Sequence, residues 1–259
     1  MITSSQNPKL KLVRTLQGRA KERREAGMFV VEGVRLVEEA VKANWQFEFV
    51  LFSDGLSERG KELVNILTAN QIELEEVSGD LLQNVSETET PQGILAVLRL
   101  DSLPIPDSPT FLLIPDQIRD PGNLGTLLRT AAAAGAQAAL LPPETTDAFA
   151  PKVLRAGMGA HFKLPIHSMV WDEIRERIQA MKIYLADMKG KSCWETDLRQ
   201  PLALIIGGEA EGASEEAGKL TSQRIAIPMP GNVESLNAGV AGSLLIFEIV
   251  RQRSVISRQ

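Results

Sequence analysis

The sequence predicts an α/β protein with two domains, the second of which contains a mostly parallel sheet. Short apolar runs alternate with segments of helical spacing along most of the chain, a pattern typical of sheets covered by helices. The nine residues over 101–109 include three prolines, which remove backbone donors and stiffen the chain. We therefore predict a domain over 1–100, a linker over 101–109 and a second domain over 110–259, and 259 residues suffice for two hydrophobic cores.

The first domain is predicted to be a small α/β unit. Its first helix opens with Asn7-Pro8, because proline is favoured in the first helical turn, where an N–H group has no helical partner. The other elements follow from the spacing of apolar residues. In order, we predict a helix over 7–24, a strand over 28–32, a helix over 34–43, a strand over 47–52, a helix over 58–69, and strands over 72–77 and 93–100.

The second domain continues the alternation of strand and helix. Its first strand leads into a helix for which Asn123 is a candidate cap and Gly135 a stop. Its last helix starts at Ser235 or Asn237 and is apolar on nearly all sides, more than one core face requires. In order, we predict a strand over 111–116, a helix over 123–134, a strand over 138–141, a helix over 171–181, strands over 183–186, 202–206 and 224–228, and a helix over 236–253.

The composition excludes several classes of protein. Cys193 is the only cysteine and there are two histidines, so a disulfide framework is excluded and we expect no catalytic metal. No apolar run approaches the ~20 residues that span a bilayer, and the N-terminus lacks the features of a signal peptide. We therefore expect a cytoplasmic protein without a membrane partner.

The distribution of charge points to a polyanionic partner. The net charge is −5, yet residues 1–35 hold eight basic and three acidic side chains. A basic arm or helix in an acidic protein is typical of a region that meets nucleic acid. The alternative is a solvated helix face that complements acidic surface elsewhere, and charge alone leaves both interpretations open.

A first motif reads DPGNLGTLLRTA over 120–131. A tight turn leads into a helix start, where unpaired N–H groups favour an anion, and Arg129 adds a planar fork suited to phosphate. Asn123 and Arg129 are six positions apart, so they point to different sides near the same helix end. Taken alone, the motif also fits a well-capped helix with a surface arginine.

A second motif reads LIIGGEAEG over 204–212. A buried strand ends in a glycine turn that carries Glu209, and parallel sheets bind ligands at the carboxyl ends of their strands. Gly207 lets a ligand approach the backbone closely. Neither the phosphate-loop pattern nor the complete dinucleotide pattern occurs, and the turn alone fits an ordinary strand-to-helix connection.

A third motif reads IPMPGNVESLNAGVA over 227–241. A strand runs into a loop rich in proline and glycine, after which Ser235, Leu236 and Asn237 lie at a helix start. Their backbone groups and polar side chains are exposed at this helix start and can contact a ligand, although Ser235 also suits simple helix capping.

Together and in this order, the three motifs resemble the signature of the SpoU (TrmH-like) branch of the SPOUT RNA methyltransferases. The resemblance covers residues 110–253 densely and includes KVLRAGMGAHFKLPI over 152–166. Residues 1–100 resemble, more loosely, the RNA substrate-binding domain of many members, which is similar to small ribosomal RNA-binding proteins. The resemblance implies a SPOUT domain with a trefoil knot and S-adenosylmethionine-dependent transfer to a ribose 2′-hydroxyl of RNA.

By position, the resemblance assigns cofactor contacts to Gly207, Ile227 and Leu236, with Met229 and Gly231 nearby. It implies that the cofactor sits in the knot and is held largely by main chain. The residue types suit this role, because Gly207 exposes its backbone and the side chains of Ile227 and Leu236 can flank an adenine with apolar surface.

For catalysis, the resemblance places Arg129 at the centre, with four polar residues around it: Asn123, Glu209, Ser235 and Asn237. A ribose hydroxyl is a poor nucleophile near neutral pH, so it must lose its proton or be strongly oriented. Because arginine holds its proton tightly, we favour a role for Arg129 in fixing the substrate phosphate and stabilising the developing alkoxide. Proton transfer through Arg129 is the alternative, and it requires surroundings that destabilise the charged guanidinium.

The chain departs from the family pattern after Asn237. Many members continue with VSVA, whereas this chain has AGVA over 238–241. Gly239 inside a helix costs about 1 kcal/mol relative to alanine, and the serine hydroxyl is lost. The resemblance also implies a homodimer through the C-terminal domain, in which one active site can include residues of the partner. The alternative for the apolar last helix is burial inside its own domain.

Three other functions stay open at this point. Transfer RNA is one alternative substrate, although the basic segment and the ribosomal-protein-like domain favour ribosomal RNA. A non-catalytic RNA-binding or assembly factor is the second alternative, which the intact set of catalytic-type residues disfavours. A nucleotide-dependent oxidoreductase or kinase is the third, and the missing dinucleotide and phosphate patterns argue against it.

Overall fold

The computed structural model describes residues 1–209, 212–231 and 234–256, and it divides into two compact units. The first unit comprises residues 1–101 and 149–162, and the second comprises residues 102–148 and those from 163 onwards. Along the chain the helices and strands are α1 (Pro8–Gln17), α2 (Ala20–Ala26), β1 (Met28–Glu32), α3 (Val34–Lys42), β2 (Phe47–Phe52), α4 (Glu58–Ala69), β3 (Leu74–Glu76), α5 (Gly79–Gln83), β4 (Ile94–Arg99), β5 (Phe111–Pro115), α6 (Pro121–Ala133), β6 (Ala138–Leu141), α7 (Pro151–Gly157), β7 (Ile166–Ser168), α8 (Trp171–Ile178), β8 (Lys182–Ser192), β9 (Leu202–Ile206), α9 (Glu215–Leu220), β10 (Gln223–Ala226) and α10 (Ala238–Ile256).

The first unit contains a four-stranded sheet in the order β1-β4-β2-β3. β4 is antiparallel to β1 and β2, and β3 is parallel to β2. Helix α1 packs on this sheet, because Leu10, Val13 and Leu16 share a hydrophobic cluster with Val30 of β1 and Val97 of β4. The basic residues of the N-terminal segment therefore stand on a folded part of the unit.

The predicted helix over 7–24 is two helices in the structure. Asn7 caps α1, since its Oδ1 accepts a hydrogen bond from Lys9 N at 2.9 Å. Gly18 leaves helical geometry at φ −74° and ψ −112°, which ends α1. The buried guanidinium of Arg23 donates to two carbonyl groups of this turn and stabilises it. The prediction of a single helix was wrong, because glycine and these side-chain hydrogen bonds favour a turn.

The segment Phe149–Phe162 lies in the first unit, although the sequence grouped it with residues 110–259. The ring centroids of Phe149 and Phe29 are 5.0 Å apart, and those of Phe162 and Trp45 are 5.3 Å apart. These contacts join the segment to strand β1 and to the connection between α3 and β2, which contains Trp45. Aromatic packing between distant positions leaves no local period in the sequence, so patterning could not reveal it.

The second unit contains a six-stranded sheet in the order β10-β8-β9-β5-β6-β7, and every paired strand is parallel. The predicted parallel sheet is confirmed. β5 and β9 are buried along their whole length, as expected of strands covered on both faces. β8 has 11 residues and is longer than predicted, because its charged second half shows no apolar run.

The second half of β8 passes β10 at very short range. A Cβ atom on Gly190 would lie 2.5 Å from Ile225 N, closer than any side chain tolerates. The pairing of the two strands also shifts register between Arg224 and Ile225. Glycine at position 190 therefore permits a close crossing of two chain segments.

The helix starts of the first and third motifs differ in their caps. Asp120, rather than Asn123, caps α6, because its Oδ1 accepts a hydrogen bond from Asn123 N at 2.7 Å. Asn123 lies inside the first turn, which leaves its side chain available for other contacts. Asn237, rather than Ser235, caps α10, since its Oδ1 accepts from a backbone N–H of the first turn at 3.1 Å.

Sequence patterning missed the elements α5, α7, β7 and α9. Each has between three and seven residues, too few for a hydrophobic period to emerge. Among the described residues, no helix has both the length and the apolar character needed to cross a membrane.

Candidate active site

The second unit holds a cavity of about 530 Å³ beside the ends of strands β9 and β10. The lining includes the last residue of β9, Ile206, and residues 224–226 of β10, and it continues with the residues that follow each strand, Gly207 and Ile227. Parallel sheets bind ligands at this edge. Seven of the predicted site residues line the cavity: Gly207, Glu209, Ile227, Met229, Ser235, Leu236 and Asn237.

Residues 207–209 and 212–214, in the loop after β9, are held together by backbone hydrogen bonds. Gly208 N donates to Gly212 O at 2.9 Å, and Gly212 N donates to Gly208 O at 3.1 Å. A Cβ atom at Gly207 would lie 2.6 Å from Ala213 N, and one at Gly208 would lie 2.4 Å from Gln117 O. Backbone atoms cannot move aside as a flexible side chain can. Both positions therefore require glycine for packing within the protein, a reason additional to the approach of a ligand.

Three polar side chains meet at one carboxylate oxygen. Glu209 Oε1 accepts hydrogen bonds from Asn123 Nδ2 at 2.5 Å and from Asn237 Nδ2 at 2.8 Å. Asn123 is buried, whereas Glu209 and Asn237 are exposed and line the cavity. Each of the three sequence motifs thus contributes one member to this group, which we call the amide–carboxylate cluster.

A second cavity of about 120 Å³ shares Gly208, Glu209 and Ala238 with the first. It is also lined by Asn123 and by residues 117–120, which connect β5 to α6. Glu209 therefore borders both cavities. Ligands bound in the two cavities would meet at this carboxylate.

Two of the predicted residues line neither cavity. Arg129 is exposed on α6, and its side chain makes no ion pair or hydrogen bond with the described residues. Its side chain and that of the buried Asn123 differ in exposure, as the six-residue spacing predicts. Gly231 is exposed in the loop between β10 and α10. The structure therefore leaves the guanidinium of Arg129 accessible to a ligand outside the cavities.

Carboxylates border the larger cavity. A hydrogen bond from Lys189 N at 2.8 Å and the guanidinium of Arg224 lower the pKa of Asp187, which lies in the lining. Asp187 and Arg224 form an ion pair. Glu209 has no ion-pair partner among the described residues, so its negative charge is not balanced there. The lining therefore suits a ligand that carries positive charge.

The sequence missed the contribution of strand β8 to this site. Residues 185–188 line the cavity, although the predicted strand ended at residue 186. The apolar start of β8 was visible in the sequence, but the charged residues that follow hid its continuation. The helix α10 contributes Ala241 and Leu245, whose direction toward the cavity depends on tertiary packing.

Fold and site together define an α/β enzyme that binds a nucleotide-like cofactor at the strand ends of a parallel sheet. Residues 110–247 match the SpoU rRNA Methylase family, and residues 7–96 match the MRM3-like substrate binding domain. The chain is 34% identical over 251 residues to the 23S rRNA (guanosine(2553)-2′-O)-methyltransferase RlmP of Bacillus subtilis, with 96% of this chain and 98% of that relative covered. It is 31% identical to the 23S rRNA (uridine(2479)-2′-O)-methyltransferase of Streptomyces viridochromogenes, with 96% and 92% covered.

A solved structure shows the same fold with a cofactor bound. The SpoU methyltransferase AviRb from Streptomyces viridochromogenes, in complex with AdoMet, has a TM-score of 0.88 to this chain at 30% identity. The match covers 96% of this chain and 99% of that chain. The chain belongs to the SpoU rRNA methylase family, which confirms the resemblance seen in the three motifs. It is an S-adenosylmethionine-dependent RNA methyltransferase with a SPOUT-type α/β fold.

Proposed function

We propose that this enzyme transfers the methyl group of S-adenosylmethionine to a ribose 2′-hydroxyl of ribosomal RNA. The observation that carries the proposal is the amide–carboxylate cluster, in which Glu209 borders both cavities. A cofactor in the larger cavity and a nucleotide at the smaller one would meet there. Ribosomal RNA is favoured because relatives that match nearly the whole chain are named as 23S rRNA 2′-O-methyltransferases.

The lining of the larger cavity fits the cofactor. Ile227, Met229 and Leu236 provide apolar surface for an adenine ring, and the strand end at Gly207 provides open backbone groups. We assign these four residues to cofactor binding and keep Gly231 as a neighbour in the same loop. When bound, the cofactor supplies an electrophilic methyl group carried on a sulfonium sulfur.

The polar side chains of the three motifs prepare the ribose hydroxyl for attack. Asn123 and Asn237 both donate to Oε1 of Glu209, which orients the carboxylate, and its second oxygen has no hydrogen-bond partner among the described residues. A carboxylate held in this way can accept a hydrogen bond from the hydroxyl and then its proton. Ser235 lies in the same lining and can hydrogen-bond the ribose.

Arg129 is assigned to the phosphate beside the target nucleotide and to the developing alkoxide. Its guanidinium is exposed and has no ion-pair partner among the described residues, so no carboxylate of this part of the chain competes with a phosphate. Proton transfer through a guanidinium requires a buried site that destabilises its charge, and Arg129 is exposed. This exposure supports electrostatic stabilisation by Arg129 over proton transfer through it.

The first unit is assigned to RNA binding through exposed cations of its N-terminal segment. Lys9, by contrast, is bound to Glu73 and Glu75 and is not available to a ligand. Four cations, which we call the unpaired cations, are exposed and have no hydrogen-bond or ion-pair partner among the described residues: Lys11, Arg19, Arg24 and Arg35. Separate positive charges on a folded surface suit a polyanion, because binding releases the counterions of its phosphates.

A homodimer through α10 and a knotted chain are further parts of the proposal. Val240, Leu244 and Phe247 are 48%, 50% and 51% exposed and follow one another at helical spacing, which forms an apolar stripe along α10. Since Asn237 caps the same helix, a second copy bound to this stripe would lie close to the active site. The close crossing at Gly190 supports the knot that the resemblance implies. A cytoplasmic location also stays part of the proposal.

The decisive experiment is transfer of labelled methyl from S-adenosylmethionine to total RNA, followed by mapping of the ribose methylations lost when the gene is deleted. Label at a 2′-oxygen of ribosomal RNA is the expected result. Label confined to transfer RNA would change the substrate class, and RNA binding without transfer would support a non-catalytic factor. The cofactor should also raise the melting temperature of the protein, which an oxidoreductase or kinase would not show.

A further inference from the structure

Asp116 is a buried carboxyl group that lies outside the lining of both cavities. It directly follows strand β5 and is 0% exposed. Its backbone N donates to Ile206 O at 2.8 Å, which extends the pairing of β5 with β9 to the last residue before Gly207. A carboxyl group in such a place needs hydrogen bonds to offset its loss of water.

One oxygen of Asp116 holds the far end of the loop over 207–214. Asp116 Oδ2 accepts a hydrogen bond from Ser214 N at 2.6 Å. Ser214 lines the larger cavity, and its hydroxyl caps α9 by accepting from Ala217 N at 3.2 Å. The described parts of this loop, residues 207–209 and 212–214, are thus fixed by β9 before Gly207, by the bonds between Gly208 and Gly212, and by Asp116 at Ser214.

The other oxygen of Asp116 is not satisfied. Asp116 Oδ1 is buried and has no hydrogen-bond partner among the described residues. Burial raises the pKa of Asp116, the hydrogen bonds from Ser214 oppose this shift, and the charges of Glu216 and Glu144 add to it. A buried acid that is only half satisfied destabilises a fold, so a functional reason is the natural explanation for its presence.

We propose that Asp116 is a positioning residue for methyl transfer, which fixes residues 212–214 of the loop after β9 through its hydrogen bond to Ser214. The inference rests on the proposed function, because it takes this loop to hold the cofactor. The loop carries the backbone at Gly207 and the carboxylate of Glu209. One hydrogen bond at its end therefore affects both the cofactor cavity and the amide–carboxylate cluster.

Two substitutions separate the hydrogen bond from the shape of the side chain. Asp116→Asn keeps an oxygen that accepts from Ser214 N, whereas Asp116→Leu keeps the branching at Cγ and removes the acceptor. We expect Asp116→Leu to weaken binding of S-adenosylmethionine about tenfold or more, the effect of one buried N–H left unpaired. Asp116→Asn should stay within about threefold of the wild type. The dissociation constant comes from calorimetry on the full chain, and KM for RNA should change little in either variant.

A matched control distinguishes positioning from loss of stability. Thr196 is buried in the same unit, donates to Ser192 O at 2.8 Å and lines neither cavity. Thr196→Val should lower the melting temperature and leave cofactor affinity unchanged. If Asp116→Leu does not fold, the comparison of Ser214→Pro with Ser214→Ala replaces it. Both lose the capping hydroxyl, but only proline removes the N–H, and the φ of −62° at Ser214 accommodates proline.

The outcomes are distinguishable. Wild-type protein that does not bind S-adenosylmethionine would overturn the proposed function and the inference together. Given wild-type binding, equal affinities of the wild type and Asp116→Leu, or of Ser214→Pro and Ser214→Ala, overturn the inference alone. The inference is also overturned if Asp116→Asn binds S-adenosylmethionine as weakly as Asp116→Leu, because the hydrogen-bond acceptor then does not explain the loss of affinity. The inference is also overturned if Thr196→Val weakens cofactor binding as much as Asp116→Leu does, because the loss of affinity would then follow from lower stability.

Discussion

The two units of the chain use their polar residues in opposite ways. In the second unit, Asn123 and Asn237 converge on one oxygen of Glu209, and every member of the group borders a cavity. In the first unit, the unpaired cations stand on the surface without partners among the described residues. Chemistry requires groups held in a narrow geometry, whereas binding of a polyanion tolerates distributed charge. Single substitutions should therefore act strongly in the second unit and weakly in the first.

The largest effect is expected at Arg129. Arg129→Ala should lower kcat by about 10²- to 10³-fold, because one cation stabilises the developing charge, while cofactor affinity stays unchanged. Arg129→Lys keeps the charge but loses the planar fork and should lose about tenfold or more. Steady-state transfer of labelled methyl at saturating RNA and cofactor measures kcat, and calorimetry measures cofactor binding.

The control for Arg129 is another exposed arginine of the second unit. Arg175 pairs with Asp172 at 2.7 Å and lines neither cavity, so Arg175→Ala should leave both quantities unchanged. Near-full activity of Arg129→Lys would contradict both the phosphate role and the proton-transfer role, since each depends on the guanidinium.

A second prediction is that methyl transfer requires a dimer formed through α10. Phe247→Asp places a charge in the apolar stripe of α10 and should weaken dimerisation by about 30-fold or more, the effect of losing an interface anchor of about 2 kcal/mol. Sedimentation velocity measures the oligomeric state, and methyl transfer should fall with the fraction of dimer. Ile66→Asp is the matched control, because Ile66 is 49% exposed in the first unit. A wild-type chain that is monomeric at micromolar concentration would refute the dimer.

A third prediction concerns the unpaired cations. Replacing all four by alanine should weaken RNA binding about tenfold and make its salt dependence shallower, while each single change has a small effect. Fluorescence anisotropy at several salt concentrations measures both. The control replaces four cations of the first unit that are already ion-paired: Lys21, Lys42, Arg59 and Lys61. Equal losses in the two sets would show that net charge, and not this surface, governs binding.

RNA binding by the unpaired cations must be tested by substitution of these residues and not by deletion of the N-terminal segment. Deleting residues 1–35 would remove β1 and the buried side chains of α1, including Leu10, Val13 and Leu16. The first unit would then lose its core as well as its cations. Loss of RNA binding in such a deletion would not identify the surface that contacts RNA.

The contrast between local and distributed features also decides what the sequence could reveal. Gly207 and Asn237 could be predicted from the sequence because they stand next to a strand end and a helix start, which leave a local pattern of glycine or capping residues, whereas Ile227 was assigned by the family resemblance. The parallel sheet followed from the alternation of apolar runs. These features depend on neighbours within a few residues, and the structure places them around one cavity.

The features that the sequence did not reveal depend on distant partners. Asp116 and Ser214 are 98 positions apart, and no local period connects them. The segment Phe149–Phe162 joins the first unit through aromatic contacts that cross more than a hundred residues of chain. The charged half of β8 is a strand only because β10 pairs with it. Such contacts are properties of tertiary packing, which a pattern read along one chain does not contain.

The smallest effect expected is a pH-dependent difference in the free energy of unfolding between Asp116→Asn and the wild type. Burial raises the pKa of Asp116 in the folded chain above the ordinary value of 3.8. At a pH between 3.8 and this raised pKa, Asp116 of the folded chain holds a proton that the unfolded chain has released. The stability that this proton contributes is fully present below about 3.8 and is lost as the pH rises through the raised pKa. Asp116→Asn carries no such proton. Its free energy of unfolding should therefore gain on that of the wild type as the pH rises, and the gain should level off above the raised pKa.

Urea unfolding between pH 4 and 8 measures this difference, and Asp197 provides a control of opposite sign. Hydrogen bonds from Arg199 lower the pKa of Asp197 to about 2, so its contribution is lost only as the pH falls below about 4. Asp197→Asn should therefore differ from the wild type by a constant amount over the measured range. If the difference in free energy of unfolding between Asp116→Asn and the wild type is also constant over this range, the pKa of Asp116 is not raised by folding. A rising difference together with retained cofactor binding in Asp116→Asn would show that the loop requires an acceptor at this position, while the charge of the acid only destabilises the chain.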